Sequence, residues 1–320
     1  MKLQSIPSWL YSYGFPLSLI RPEMKKGLIG MWLPHVGYGA NVALDVSGYG
    51  HHGSLIGGII IYKEEIGPGW WFTGGRIAIG DYSLLEPSEI TLLSIIRTSD
   101  DDTRIMAKYL VANPWSGYAL GIFSGKLSMW TGDLVASWLF GATPITDNKY
   151  HVVAGTFRNG TQTVFLDGKQ DGQQPATPVF NSTASLTLAA MHDGTASYRH
   201  YMGPCGIWNR ALEPSEILRL SFNFWDTMFQ KPTQFLKAFA LPGATIIRLN
   251  WIDNSEHEDG FSIERKTDAG AFGEIDTVAA DIETYDNVNV PEGHTYTYRV
   301  KATDTSLGDS EYSNEASEVV

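Results

Sequence analysis

Short runs of alternating apolar and polar residues recur along the whole of this 320-residue chain. Residues 246–251 (Ile-Ile-Arg-Leu-Asn-Trp) and 296–300 (Tyr-Thr-Tyr-Arg-Val) are examples. A period of two places one set of side chains on each face of a half-buried strand, so these runs predict strands. Gly, Asn, Asp and Pro collect between them, as turns require. The chain has 33 Gly and 12% aromatic residues and few long runs of helical period, which fits β-structure rather than helices. Ten or more strands between residues 25 and 220 predict a large antiparallel sandwich or jelly roll. A second, smaller sandwich is predicted over the last ninety residues.

Charge is divided unevenly. The net charge is −12, and residues 231–320, with 7 Lys and Arg against 17 Asp and Glu, hold most of it. Such an acidic segment repels nucleic acid and anionic membrane, so neither is an expected partner. Cys205, the single cysteine, excludes an intramolecular disulfide and is expected to be a buried thiol. The first twenty residues are apolar but broken by Pro7, Gly14 and Pro16. They are expected to form an extended arm rather than a signal peptide or a membrane span.

Four ordered motifs carry a resemblance. Residues 43–53, with Asp45, Ser47, Gly48 and Gly53, resemble the D-x-S-G-x-G-x-H-G loop of laminin-G-like, concanavalin A-like jelly rolls. Residues 71–79 resemble the edge strand that follows. Residues 150–169 match the family's H-h-V-A-x-T hairpin and its Asp167-Gly168 turn, and residues 206–217 match its closing strand and short helix. Toward the C-terminus the pattern resembles a fibronectin type III domain. That resemblance makes Trp251 the core tryptophan and Tyr296 the tyrosine whose hydroxyl bonds back to the chain. The expected organisation is an arm (1–24), a jelly roll (25–221), an aromatic linker (222–236) and a fibronectin type III-like domain (237–320), all-β throughout.

Residues 221–232 resemble the N-P-W-x-x-F-x-P tail that follows such jelly rolls in proteins of tailed bacteriophages, with Phe224 in place of the usual Pro. The resemblance implies a non-enzymatic virion protein on the head or tail. It would be present in several copies or as a homo-oligomer and serve decoration, assembly or adhesion to host or environmental glycans. Its partners would be other virion proteins. A bacterial surface lectin and a glycan-degrading enzyme are the alternatives. Glu274-Ile275-Asp276 resembles the start of the E-I-D-x-x-E glycosidase motif, but the third acid is missing from the residues that follow.

Sugar binding calls for exposed flat rings beside polar groups. Trp115 and Tyr118, in residues 113–118, and Trp138, near Gly132 and Asp133, are the expected glycan contacts. The laminin-G resemblance also implies loop-bound calcium, with Asp45 the leading ligand by motif position and Asp193 the second. Assembly contacts are expected from apolar residues outside the periodic strands: Trp9, Tyr11 and Phe15 in the arm, and Phe222, Phe224, Trp225 and Phe229 after the jelly roll. Trp32, Trp71, Trp130, Trp208 and Trp251 fall in strands and are expected in the core.

Overall fold

The computed structural model describes residues 20–34, 41–64, 67–110, 116–132, 138–177, 180–229, 234–241, 245–253, 258–305 and 308–320. These fall into two compact units, 26–227 and 20–25 with 228–320. Trp9, Tyr11, Phe15 and Trp115 lie outside the described residues.

In the first unit the strands are β1 (Leu28–Leu33), β2 (Val42–Asp45), β3 (Gly53–Ile56), β4 (Ile59–Glu64), β5 (Gly67–Phe72), β6 (Arg76–Gly80), β7 (Ile90–Arg97) and β8 (Asp102–Leu110). They continue as β9 (Ser116–Phe123), β10 (Lys126–Thr131), β11 (Leu139–Pro144), β12 (Tyr150–Arg158), β13 (Thr161–Leu166), β14 (Lys169–Pro175), β15 (Leu186–Leu188) and β16 (Tyr201–Trp208). The hydrogen-bonded order is β11-β10-β9-β8-β15-β6-β3-β2-β1-β16-β7-β12-β13-β14, with β5 and β4 added on β16. Two layers result, joined where β2 pairs with β1 on one side and β3 on the other. The neighbours along this order pair antiparallel, as a jelly roll requires.

Alternation explains the core. Tyr118, Leu120 and Ile122 of β9 and Leu127 and Met129 of β10 point inward from one layer. Ile96, Val153 and Val164 meet them from the other, all within one cluster. Trp32 and Trp208 are buried as expected, whereas Trp71 is only half-buried. Trp130 is buried in a second cluster on the other face of its sheet, with Ala107, Tyr109 and Ala119.

The Asp167-Gly168 turn between β13 and β14 has φ of 50° and 79°, the left-handed conformation that this pair tolerates. The helix Pro214–Phe222 starts as its sequence suggests. Glu213 caps it, Pro214 opens the first turn, and the Glu216 carboxylate reaches back to the Glu213 N–H.

Lys108 is a fully buried cation. Its Nζ meets Asp81 Oδ1 at 2.6 Å and Glu86 Oε1 at 3.0 Å, and donates to the carbonyls of Ser182 and Ala184. The ammonium therefore ties β8 to the segment after β6 and to the segment before β15. Lys108→Ala would leave Asp81 and the Ser182 and Ala184 carbonyls without the ammonium, and Glu86 with only the Ser182 N–H. We expect a loss of about 3–5 kcal/mol, measured by urea unfolding followed by tryptophan fluorescence.

His151 makes a pH-dependent clasp. Its Nδ1 lies 2.9 Å from Asp167 Oδ2 and its Nε2 3.1 Å from Asp147 Oδ1. Burial alone would lower the imidazole pKa, but the bonds and charges of Asp167 and Asp147 outweigh it and raise the pKa above 6.5. Burial likewise opposes ionisation of Asp147, but bonds from Lys149 and His151 bring it from 3.8 to about 2. A raised histidine pKa stabilises fully below 6.5 and is lost as pH rises through the folded value. A lowered aspartate pKa stabilises above 3.8 and is lost as pH falls toward 2. The clasp is therefore complete between these limits. Calorimetry should show the unfolding temperature falling above pH 6.5, and His151→Gln should flatten that slope.

The second unit places β17 (Gln234–Ala240), β18 (Ile246–Ile252) and β21 (Thr284–Val288) in one sheet. The other sheet holds β20 (Gly273–Ala279), β19 (Gly260–Thr267), β22 (Thr295–Thr303) and β23 (Ala316–Val319), in that order. Inward residues of both, including Leu249, Trp251, Phe261, Tyr298 and Val300, form one cluster. Trp251 is buried against Phe261, ring centres 5.6 Å apart, and the Tyr296 hydroxyl donates to the Pro291 carbonyl at 2.9 Å. On the outer face Arg299 lies between the rings of Phe272 (4.1 Å) and Tyr312 (3.7 Å), and Glu264 holds both its guanidinium and the Tyr312 hydroxyl.

Candidate functional site

The side chains of β8, β9, β10 and β11 that do not enter the main core build an aromatic platform on the outer face of their layer. Tyr109, Trp130, Trp138, Phe123 and Phe140 follow one another across the strands, with ring centres 5.2 to 6.3 Å apart. Arg104 lies among them, 5.0 Å from the Phe123 ring and 4.7 Å from the Trp138 ring. Its Nη1 pairs with Asp102 at 3.1 Å, and its Nε faces the Tyr109 hydroxyl at 3.4 Å.

Local sequence explains the arrangement. A bulge in β8 between Arg104 and Met106 shifts the register against β9. Gly121 of β9 lies beneath the arginine, where a Cβ would come 2.5 Å from Thr103 O and 3.2 Å from Arg104 Cδ. The guanidinium can therefore lie flat on the sheet and stack on rings, for which its plane is suited. Exposure increases along the chain of rings: Trp130 is buried, Trp138 and Phe123 are half-buried, and Phe140 is 47% exposed. Chemically the platform offers apolar ring faces and the open carboxylate of Asp102, while Arg104 is buried and braces the rings from within. That combination suits a sugar, whose apolar face stacks while its hydroxyls bond to charged groups.

Of the sequence-predicted glycan contacts, Trp138 is on this platform and Tyr118 is not. Tyr118 points into the main core with no accessible surface, and burial, with the charge of Glu86 nearby, pushes its hydroxyl far above the usual range. A ring without exposed area cannot stack on a ligand, which corrects that expectation. Arg104, Phe123 and Phe140 were missed. Their parity gave a signal, because Phe123 lies one residue out of phase with inward Tyr118, Leu120 and Ile122.

The predicted calcium residues do not assemble into a cation site. Asp45 is buried, and its two oxygens accept the N–H groups of Met31 (3.0 Å), Ser47 (2.9 Å) and His51 (2.9 Å). A cation there would face three N–H dipoles rather than oxygens, so the residues present do not fit calcium. Asp193 accepts the N–H and hydroxyl of Thr195, bonds that lower its pKa. Among the described residues, ligand-like side chains converge at Asp253, Glu258 and Asp281 in the second unit. Glu274 accepts the Ser262 hydroxyl at 2.6 Å, and Asp276 accepts the Thr277 N–H.

The expected assembly residues divide in the same manner. Phe224, Trp225 and Phe229 are buried, at 2%, 1% and 0% exposure, so their rings present no surface to another molecule. Phe222, at the end of the helix, is 60% exposed.

Residues 73–218 match the family model described as the concanavalin A-like lectin/glucanases superfamily. The first unit is a concanavalin A-like jelly roll. Comparison with curated proteins gave no match. Among solved structures, one described as a receptor binding domain is 13% identical, with a TM-score of 0.50 over 88% of this chain and 72% of that one. The binding domain of botulinum neurotoxin serotype D/C is 12% identical, with a TM-score of 0.49 over 87% and 72%. Domain 4 of an extracellular arabinanase from Geobacillus stearothermophilus, in complex with arabinotriose, is 18% identical, with a TM-score of 0.45 over 55% and 91%. Identities this low speak to fold alone. No helix among the described residues is long and apolar enough to cross a membrane.

If Asp45 serves the loop rather than a metal, Asp45→Asn should cost about 1–3 kcal/mol, because one accepting oxygen becomes a donor facing N–H groups. A calcium chelator should leave the unfolding temperature of the native chain unchanged, as calorimetry would show.

Proposed function

We propose that the chain is a non-enzymatic glycan-binding and display protein, and that its setting is a bacteriophage virion. The observation that carries the glycan reading is the platform of Trp138 and Phe140, braced by buried Arg104, on the outer face of a concanavalin A-like sheet. Binding is by ring stacking and hydroxyl bonding, without calcium.

The second unit is proposed as a fibronectin type III-like spacer. Its three-on-four strand order, the buried Trp251 and the Tyr296 hydroxyl bond support this reading. The virion setting is supported by the likeness of residues 221–232 to phage tail segments. The non-enzymatic reading is supported by the ordinary strand bonds of Glu274 and Asp276.

The test is a glycan array followed by calorimetric titration of any ligand found. Trp138→Ala should weaken binding about tenfold or more, equivalent to about 1.4 kcal/mol, while Tyr118→Phe leaves affinity unchanged. Release of new reducing ends from a bound polysaccharide would overturn the non-enzymatic reading. Undiminished binding by the Trp138 variant would remove the platform from it.

A further inference from the structure

The opposite layer carries a second feature. Inward Val164 and Leu166 of β13 leave Thr161 and Thr163 facing outward, beside Gln170 and Gln173 of β14. These four, with Asn159, floor a groove of about 350 Å³ walled by Leu212 and Pro214 at the start of the helix Pro214–Phe222. The Arg158–Glu213 ion pair stands at this end, its two partners neutralising one another. A second groove of about 500 Å³ adjoins at Gln170, which lines both, and has Asp167, Lys169, Asp171 and Phe222 along its sides. They meet at Gln170, and beside it Gly168 of the β13–β14 turn packs on Leu218 and Ser221 of the helix, between Pro214 in the first groove and Phe222 in the second.

We propose that these adjoining grooves bind a linear, neutral oligosaccharide, at a site separate from the Trp138 platform. The ligand class rests on the glycan-binding reading; the site itself rests on its own geometry. Hydroxyl and amide side chains dominate the floor, and each can both donate and accept, as sugar hydroxyls do. Gln170 Nε2 donates to Gln173 Oε1 at 3.0 Å, which pre-orders the two amides while Gln170 Oε1 and Gln173 Nε2 are left to a ligand. The floor of the first groove is uncharged, and Asp167 and Asp171 outweigh Lys169 in the second, so a neutral chain is favoured over an anionic one. Phe222, 60% exposed at the far end, supplies the ring face on which a terminal sugar stacks.

The experiment is an amide-shift titration of the isotope-labelled native chain with cellohexaose, xylohexaose and laminarihexaose. It is repeated on Trp138→Ala, on Phe222→Ala and on Thr163→Val with Gln170→Leu. The expected result is saturable shifts at β13, β14 and Phe222 with at least one of the three sugars. These shifts persist in the Trp138 variant and need about tenfold more sugar in each groove variant. Shifts at the platform alone overturn the groove and leave the platform reading standing. Shifts at the groove alone do the reverse. Absence of shifts anywhere overturns both. Mapping on the native chain decides the matter even where a variant folds poorly.

Discussion

The jelly roll depends on one buried carboxylate. Asp45 ends β2, the strand that pairs with β1 in one layer and β3 in the other. The chain must leave one sheet for the other at this point, and its backbone N–H groups lose their ladder partners there. Asp45 collects three of them: Met31 from β1, Ser47 next to it, and His51 at the loop's far side. A buried charge is tolerable only when fully bonded, and a carboxylate receiving several N–H groups is the strong form of that arrangement. With the loop fixed, the His51 carbonyl is placed to accept the indole N–H of core Trp32 at 2.8 Å, and the His51 ring stacks on Tyr82. The motif aspartate is thus a fastening between layers, which accounts for the D-x-S-G pattern without a metal.

Once the layers are fastened, each strand has two faces and the molecule uses both. Inner faces share one apolar cluster. Outer faces diverge according to which residues occupy the alternate positions. On β8–β11 they are aromatic and cationic, and small Ala119 and Gly121 on the middle strand let Arg104 and the rings lie flat. On β13–β14 they are threonine and glutamine, and the helix after β16 turns that surface into a groove. The same alternation that buries the core therefore displays two chemically different surfaces.

Much of this was legible in the sequence. Strand-period runs gave the all-β class, Asp167-Gly168 gave its turn, and Glu213-Pro214 gave the helix start. The misreadings have physical causes. Tyr118 is expected as a glycan contact, yet β9 already begins at Ser116 and parity turns the ring inward. Asp45 is expected as a cation ligand from its motif position, which shows a loop carboxylate but not the three N–H groups around it. Arg104 could not be matched with Phe123 and Trp138, because their meeting depends on a bulge and on cross-strand register, which are tertiary facts. Phe224, Trp225 and Phe229 stand outside the strand runs yet are buried, because two of them belong to a short helix, Phe224–Met228, and the third bridges to Ile20.

Cys205 has a practical consequence. It is buried in β16 beside Ser94, and burial pushes its thiol up to about 12. Thiolate, the reactive species, is thus scarce at neutral pH, and reagents have no path to it. The chain is chemically silent toward maleimides and indifferent to the redox potential around it. A cysteine introduced at an exposed position would be the sole conjugation handle, so dyes, surfaces or force probes could be attached at one chosen point.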